Sequence, residues 1–312
     1  MTFGLLAGLI ICNVLWSAAY TVSKHLMNVG YHPLEIGFLR YFAGVLPLLI
    51  YFVWGGRKSL MARWWRDFGL IDSRLLLVGV LTFFFSPLGQ MVGLSMSRAV
   101  DGSLLIALEP LVTIVAAWLV LGERLRWNQT VGLALAVTGA CILTEVTFEK
   151  ARAFADVRLI GNLVFVGSLL SESAYSILAK PALERRSPIT FLTVSCAVGV
   201  LLLFLLNIGM DGPSRAAGLS LLFARAEFTD FAAVLYLGFG CTTFGYLFWM
   251  YALQRASVSV IALTLYVQPV LGLFWGHVFL GEAVTSSTVL GAALILGAVW
   301  LASRVASLRS ER

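Results

Sequence analysis

Residues 104–139 read LLIALEPLVTIVAAWLVLGERLRWNQTVGLALAVTG, and residues 263–298 read LTLYVQPVLGLFWGHVFLGEAVTSSTVLGAALILGA. The two lines stand in register without a gap, at a constant offset of 159. Pro110 falls on Pro269, Leu121-Gly122-Glu123 on Leu280-Gly281-Glu282, and Gly132 on Gly291. The match extends over 91–144 and 250–303, taking in Met91/Met250 and Leu94/Leu253. A second register, offset 155, relates Ala19-Tyr20 to Ala174-Tyr175, Pro33 to Pro188 and Gly44 to Gly199. The chain is one unit written twice, 1–147 and 156–306, with a longer loop in the second copy. In a chain this apolar, such duplication points to membrane transport rather than to a soluble solenoid.

Hydrophobic residues make up 60% of the chain and charged ones 12%, whereas about a quarter of a soluble domain is charged. The apolar residues come in blocks near the roughly 20 residues that cross a hydrocarbon core as a helix. The blocks are 3–27, 34–54, 74–97, 100–121, 127–146, 158–181, 188–208, 230–253, 257–281 and 285–305. None alternates strictly, as the strands of a membrane barrel must. The expected fold is therefore an all-α integral membrane protein of ten transmembrane helices. The first block carries Asn13, Trp16 and Lys24 and has no basic leader, so it reads as a retained helix and not as a signal peptide. Cys12, Cys141, Cys196 and Cys241 lie inside apolar blocks and are expected to pack, with neither disulfide nor metal implied.

The net charge of +6 sits at helix ends and does not signal nucleic acid. With the N-terminus inside, fourteen Lys and Arg residues fall on the inner side and six on the outer; Lys24 and Arg40 lie within spans. The positive-inside rule then puts both termini in the cytoplasm. Trp54–Arg74, with Trp64 and Trp65 among basic residues, reads as an interfacial stretch on the inner leaflet. Five helices per copy is an odd number, so the second copy enters the bilayer from the opposite side. The two five-helix repeats are thus inverted, an arrangement suited to alternating access.

The first helix carries Trp16-Ser17-Ala18-Ala19-Tyr20-Thr21-Val22-Ser23-Lys24, and the second opens Pro33-Leu34-Glu35-Ile36-Gly37-Phe38-Leu39-Arg40. Further on come Glu109-Pro110-Leu111, Leu121-Gly122-Glu123-Arg124-Leu125, Gly132 and Gly139. This resembles the drug/metabolite transporter superfamily, in particular its ten-helix EamA-type exporters, over the whole chain. One departure is Ala283 where the first copy has Arg124. The resemblance implies a secondary transporter of the bacterial inner membrane that exports amino acids, other metabolites or toxic compounds. It also implies a central cavity walled by the first, third, fourth, sixth, eighth and ninth helices, with the fifth and tenth peripheral.

Ionisable groups in hydrocarbon cost roughly 2.5–3.5 kcal/mol or more, so each needs a partner or a task. Lys24, Arg40, Glu109, Glu172 and His277 qualify; Glu35 and Asp101 are placed at helix edges within reach of water. Glu109 directly precedes Pro110, whose missing N–H frees backbone acceptors nearby. Its repeat counterpart is Gln268, before Pro269. Two readings of Glu109 compete: a site for a substrate amine or a proton, and a structural ion pair with Lys24 or Arg40. Glu172 shares a polar stripe with Ser168, Tyr175 and Ser176. Removal from water favours the neutral form of carboxyls in general, so Glu172 is a candidate proton carrier, with internal hydrogen bonding as the competing reading. Asn13, Trp16, Ser17, Tyr20 and Lys24 fall on one face, where the rings would stack on an amphipathic ligand or simply pack. Lys24 lies near the outer end and could snorkel, Arg40 is expected in an ion pair near an outer gate, and His277 as a packing residue on the inner side. Ser86, Gln90 and Ser97 on the third helix are expected to add polar lining, as are Thr243, Tyr246 and Gln254 on the eighth and Thr264 and Gln268 on the ninth. Pro110 and Pro269 are the expected hinges, and Glu123 and Glu282 the expected caps or gating contacts.

No phosphate-binding glycine loop is present, nor a His-x-x-x-His pair, so neither ATP nor a metal or other cofactor is expected. The expected partners are a small-molecule substrate, the lipid bilayer and protons, and the expected assembly a monomer or weak homodimer. The sequence reads as a secondary active exporter of small organic metabolites. An uncoupled uniporter is the near alternative. A membrane enzyme acting on a lipid-linked substrate ranks lower for want of a recognisable catalytic arrangement, and a nucleotide-sugar antiporter because only Lys24 and Arg40 qualify as cavity cations.

Overall fold

The computed structural model describes residues 3–54, 73–109, 111–112, 115, 127–143, 156–183, 187–211, 227–255 and 263–303. Among the described residues there is no strand, and the helices follow the apolar blocks closely. They are α1 (Phe3–Val29), α2 (Pro33–Trp54) and α3 (Ser73–Val80, continued by Leu81–Phe85 and Ser86–Ser95). Next come α4 (Ala99–Leu105, continued by Ile106–Leu108), α5 (Trp127–Leu143), α6 (Val157–Leu183) and α7 (Pro188–Asp211). The last are α8 (Phe228–Leu235, Tyr236–Phe244 and Gly245–Leu253), α9 (Leu263–Tyr266 and Val267–Leu280) and α10 (Ser286–Ser303). Nearly all of the stretch expected at the inner interface, together with Pro110, Glu123 and Arg124, lies outside the described residues.

Five of these helices are long and apolar enough to cross a bilayer, with shorter apolar helices in α4, α5, α9 and α10. The radial distribution of polarity says the same. Asn13, Gln90, Asp101, Asn162 and Gln268 are buried, while Ile10, Ile11, Leu201, Leu205, Phe274 and Val278 stand exposed on outer faces. Inward polar groups and outward aliphatic ones suit a hydrocarbon solvent. The protein is an all-helical, multi-pass membrane protein.

Helix ends follow local chemistry. α1 stops at Gly30, whose φ of 112° few side chains tolerate. α2 restarts on a capping box, in which the Glu35 carboxylate accepts from the His32 N–H at 2.8 Å. That task accounts for the burial of Glu35, which was expected at a wet edge. α9 ends at Gly281 (φ 65°), with the Gly281 and Glu282 amides returning to the carbonyls of His277 and Gly276.

The two copies make the same crossings. An added Cβ on Gly44 of α2 would lie 2.6 Å from Thr242 of α8, and one on Gly199 of α7 would strike the Phe83 carbonyl of α3. Gly79 abuts Val198, and Gly238 abuts Ala43. Gly44/Gly199 and Ala43/Val198 correspond at offset 155, Phe83/Thr242 and Gly79/Gly238 at offset 159. One backbone-close contact is therefore built twice, α2 on α8 and α7 on α3. Both partner helices pass through π-helical turns there, at Leu81–Phe85 and Tyr236–Phe244. α5 packs on α10 in the same manner, a Cβ on Gly139 falling 2.9 Å from the Gly291 carbonyl oxygen and one on Gly291 falling 2.8 Å from that of Gly139.

Candidate functional site

Where these crossings leave space, a cavity of about 80 Å³ opens at the centre of the bundle. That is room for a handful of waters or part of one small solute. α1 supplies Trp16, Ala19 and Tyr20, α3 supplies Gln90, and α4 supplies Ile106 and Glu109. From the second copy come Glu172 of α6, Tyr246 and Trp249 of α8, and Leu265 and Gln268 of α9. α2 adds Arg40 and Tyr41.

Glu172 is held by neutral donors. Its Oε2 accepts from Ser86 Oγ at 3.1 Å and from Gln90 Nε2 at 2.5 Å. Gln90 Nε2 also donates to Ser86 Oγ at 3.0 Å, and Tyr20 donates to Gln90 Oε1 at 3.4 Å. The Tyr246 hydroxyl is hydrogen-bonded with both Glu172 and Tyr41. Glu109 lies near enough for the two carboxylates to feel each other's charge, and Tyr20 is within electrostatic reach of both and of Arg40. Two carboxyl groups thus share one small, largely desolvated space, an arrangement suited to holding an ammonium group or a proton.

The wall around them is aromatic. Trp16 meets Tyr246 edge-on and Trp249 at a tilt, with centroids 5.7 and 5.5 Å away. Its Nε1 donates to the Cys241 carbonyl at 2.7 Å, inside the π-helical stretch of α8, where non-standard backbone bonding often marks functional sites. Asn13 sits beside the cavity, bonded to Thr264 Oγ1 at 2.9 Å and accepting from Gln268 Nε2 at 2.7 Å. It ties α1 to α9 immediately before Pro269, which is buried and preceded by a 3-10 turn, Leu263–Tyr266. A matching 3-10 turn, Ile106–Leu108, precedes Glu109 in α4.

Other expected residues lie elsewhere. The Tyr175 side chain is outside the described residues, although its backbone is helical. Lys24 does not reach the cavity; its ammonium group caps the end of α3, donating to the carbonyls of Leu94, Ser95 and Ser97 at 2.9, 3.3 and 2.6 Å. Thr243 donates to the Gly44 carbonyl at 2.6 Å, and Ser168 to that of Phe165; both are spent on backbone. Ser97 joins Asp101, which is fully buried and not at a wet edge as expected. Arg158 binds Asp101 through Nε and Nη2, and Ser97 donates to it at 3.0 Å. Asp101 from the first copy thereby meets Arg158 from the second. At the same end the Glu282 carboxylate accepts from the Ala99 and Val100 amides, both at 2.8 Å, capping α4 from across the duplication. His277 Nδ1 lies 2.9 Å from the Glu282 carbonyl oxygen, at this end and not at the opposite one as expected.

Arg40 too is placed differently from the expectation. Expected in an ion pair near a gate, it points into the cavity from a helix that the family resemblance leaves out of the wall. Its only sequence signal was a cation inside an apolar block.

Among the described residues no cluster of metal-binding side chains occurs. A protein from Streptantibioticus cattleyicolor named as a probable terminal-alkyne amino-acid exporter is 32% identical over 65% of this chain and 63% of its own length. A probable amino-acid metabolite efflux pump of Salmonella typhimurium is 28% identical over 96% of this chain and 93% of its own. A solved crystal structure at 18% identity covers the whole of both chains with a TM-score of 0.64, which speaks for the fold alone. The family model of EamA-like transporters matches twice, over residues 2–145 and 159–304. With its ten apolar blocks, its duplicated crossings and this double match, the chain belongs to the EamA-like transporter family, a transporter family and not an enzyme family.

Proposed function

We propose that this protein is a secondary active exporter of amino acids or related small amphipathic metabolites across the bacterial inner membrane. The observation that carries the reading is the meeting of Glu109 and Glu172 with Trp16, Tyr20 and Tyr246 around one central cavity. In this reading the two carboxyl groups exchange a proton or hold the substrate's ammonium group, and the rings contact its apolar part. Gln90 and Gln268 orient it, while Asn13 fixes the α1–α9 junction. The two units, 1–147 and 156–306, rock against each other by alternating access, bending near Pro110 and Pro269, where a proline cannot complete the helical ladder. The protein works as a monomer or weak homodimer with both termini in the cytoplasm. The names of the relatives support the amino-acid class.

The test is efflux of labelled amino acids from proteoliposomes with and without an imposed pH gradient. Glu109→Gln and Glu172→Gln should each abolish transport or its response to the gradient, with expression unchanged. Normal, gradient-sensitive transport in both variants would overturn the assignment. Transport by the wild type that ignores the gradient would convert the reading to uniport.

A further inference from the structure

Arg40 lies about two turns into α2, is 7% exposed and lines the central cavity. A guanidinium carries five N–H donors. Among the described residues it makes one hydrogen bond, from Nε to Thr242 Oγ1 at 3.5 Å, the limit of a useful length. Among the described residues it makes no ion pair, and its guanidinium carbon lies 5.2 Å from the centroid of the Tyr41 ring. Glu172, across the same cavity, is already supplied with donors by Ser86 and Gln90. Opposite charges thus share a small space and feel each other without forming a direct ion pair. A buried cation left in this condition is costly unless an anion arrives.

We propose that Arg40 is the anion-binding group of the cavity, taking the carboxylate of a zwitterionic solute whose ammonium group lies toward Glu109 and Glu172. The proposal rests on the exporter reading above and narrows it. A planar fork matches a carboxylate in two parallel hydrogen bonds, and Arg40 has Thr242 and the Tyr41 ring beside it. A solute with an amine and no carboxylate would bring its charge to a guanidinium that no anion pairs directly. Simple amines and organic cations are therefore excluded as good substrates, and free amino acids selected.

The deciding measurement is binding of the standard amino acids to the purified full-length protein in lipid nanodiscs, by calorimetry. Each amino acid that binds is compared with its α-carboxamide, which keeps the amine and loses the anion. The wild type should bind the acid about tenfold or more tightly over the amide, the size of a charge-assisted hydrogen bond. Arg40→Gln should bind both within about twofold of each other, and Arg40→Lys should retain part of the preference. Melting without ligand checks that the variants fold, and the wild-type acid/amide ratio decides even if Arg40→Gln does not. Equal affinity of the wild type for acid and amide, or an unchanged preference in Arg40→Gln, would overturn the anion site and leave the exporter reading standing. Failure of every amino acid to bind the wild type would overturn the amino-acid reading and this proposal with it.

Discussion

At the scale of single residues, charged groups inside the bundle take three different solutions to the same cost. Glu172 is surrounded by neutral donors, Lys24 reaches the backbone carbonyls at a helix end, and Asp101 pairs directly with Arg158. The last is the structural one. Asp101 is fully buried and accepts the guanidinium fork, Ser97 and Asn162 together. Replacing it by Asn keeps the shape and removes the charge that both Arg158 and Arg98 face. Breaking a buried pair by removing one partner costs about 3 kcal/mol. Asp101→Asn should therefore lower the melting temperature of the purified protein by several degrees; an unchanged melting curve would show that the pair is worth little.

At the scale of elements, close approach governs. The α7–α3 crossing brings Gly199 against the Phe83 backbone, which cannot swing away as a side-chain tip would. Gly199→Ala should destabilise by about 1–3 kcal/mol, the usual cost of overpacking. Gly167 of α6 has nothing within 4 Å of its would-be Cβ, so Gly167→Ala should be neutral or slightly stabilising. Thermal denaturation of the two variants side by side checks this, and equal losses would mean that the glycines serve flexibility and not packing. The π-helical turns at these crossings fit the same view, because a widened turn re-aims the helix and its side chains. In α8 the stretch offers the Cys241 carbonyl to Trp16 and so positions the aromatic wall.

At the scale of the whole molecule, two copies in opposite senses share their stabilising contacts across the duplication. Glu282 caps α4, Arg158 meets Asp101, and Asn13 meets Gln268; each pair joins one unit to the other. At the end where α1 finishes, Gly272 lies against Ser103 and Gly276 against Val100, so α4 and α9 are drawn together there. Ten crossings and the distribution of basic residues predict that both termini lie in the cytoplasm. A fluorescent protein fused to the C-terminus should glow and an alkaline phosphatase fused there should stay inactive. The reverse pattern would overturn the orientation.

The ten blocks and the doubling were legible because they depend on two properties that each residue carries alone: transfer free energy into hydrocarbon, and identity at a fixed offset. Hence α2 was expected at 34–54 and occurs at Pro33–Trp54, and Glu109, Glu172, Trp16, Tyr20 and Gln90 could be nominated as polar or aromatic groups in costly places. The rest depended on rotation and partner. A one-dimensional pattern cannot tell which face of α2 turns inward, so Arg40 was sent to a gate when it lines the cavity. Nor can it say that Lys24 will find carbonyls 70 residues away, or that Asp101 will be sealed by an arginine from the other copy. Burial in a membrane bundle is decided by which helices cross and at what depth, and those crossings are set by backbone approach at a few glycines. Sequence determined which residues needed an explanation; only the packing of the helices decided what each explanation was.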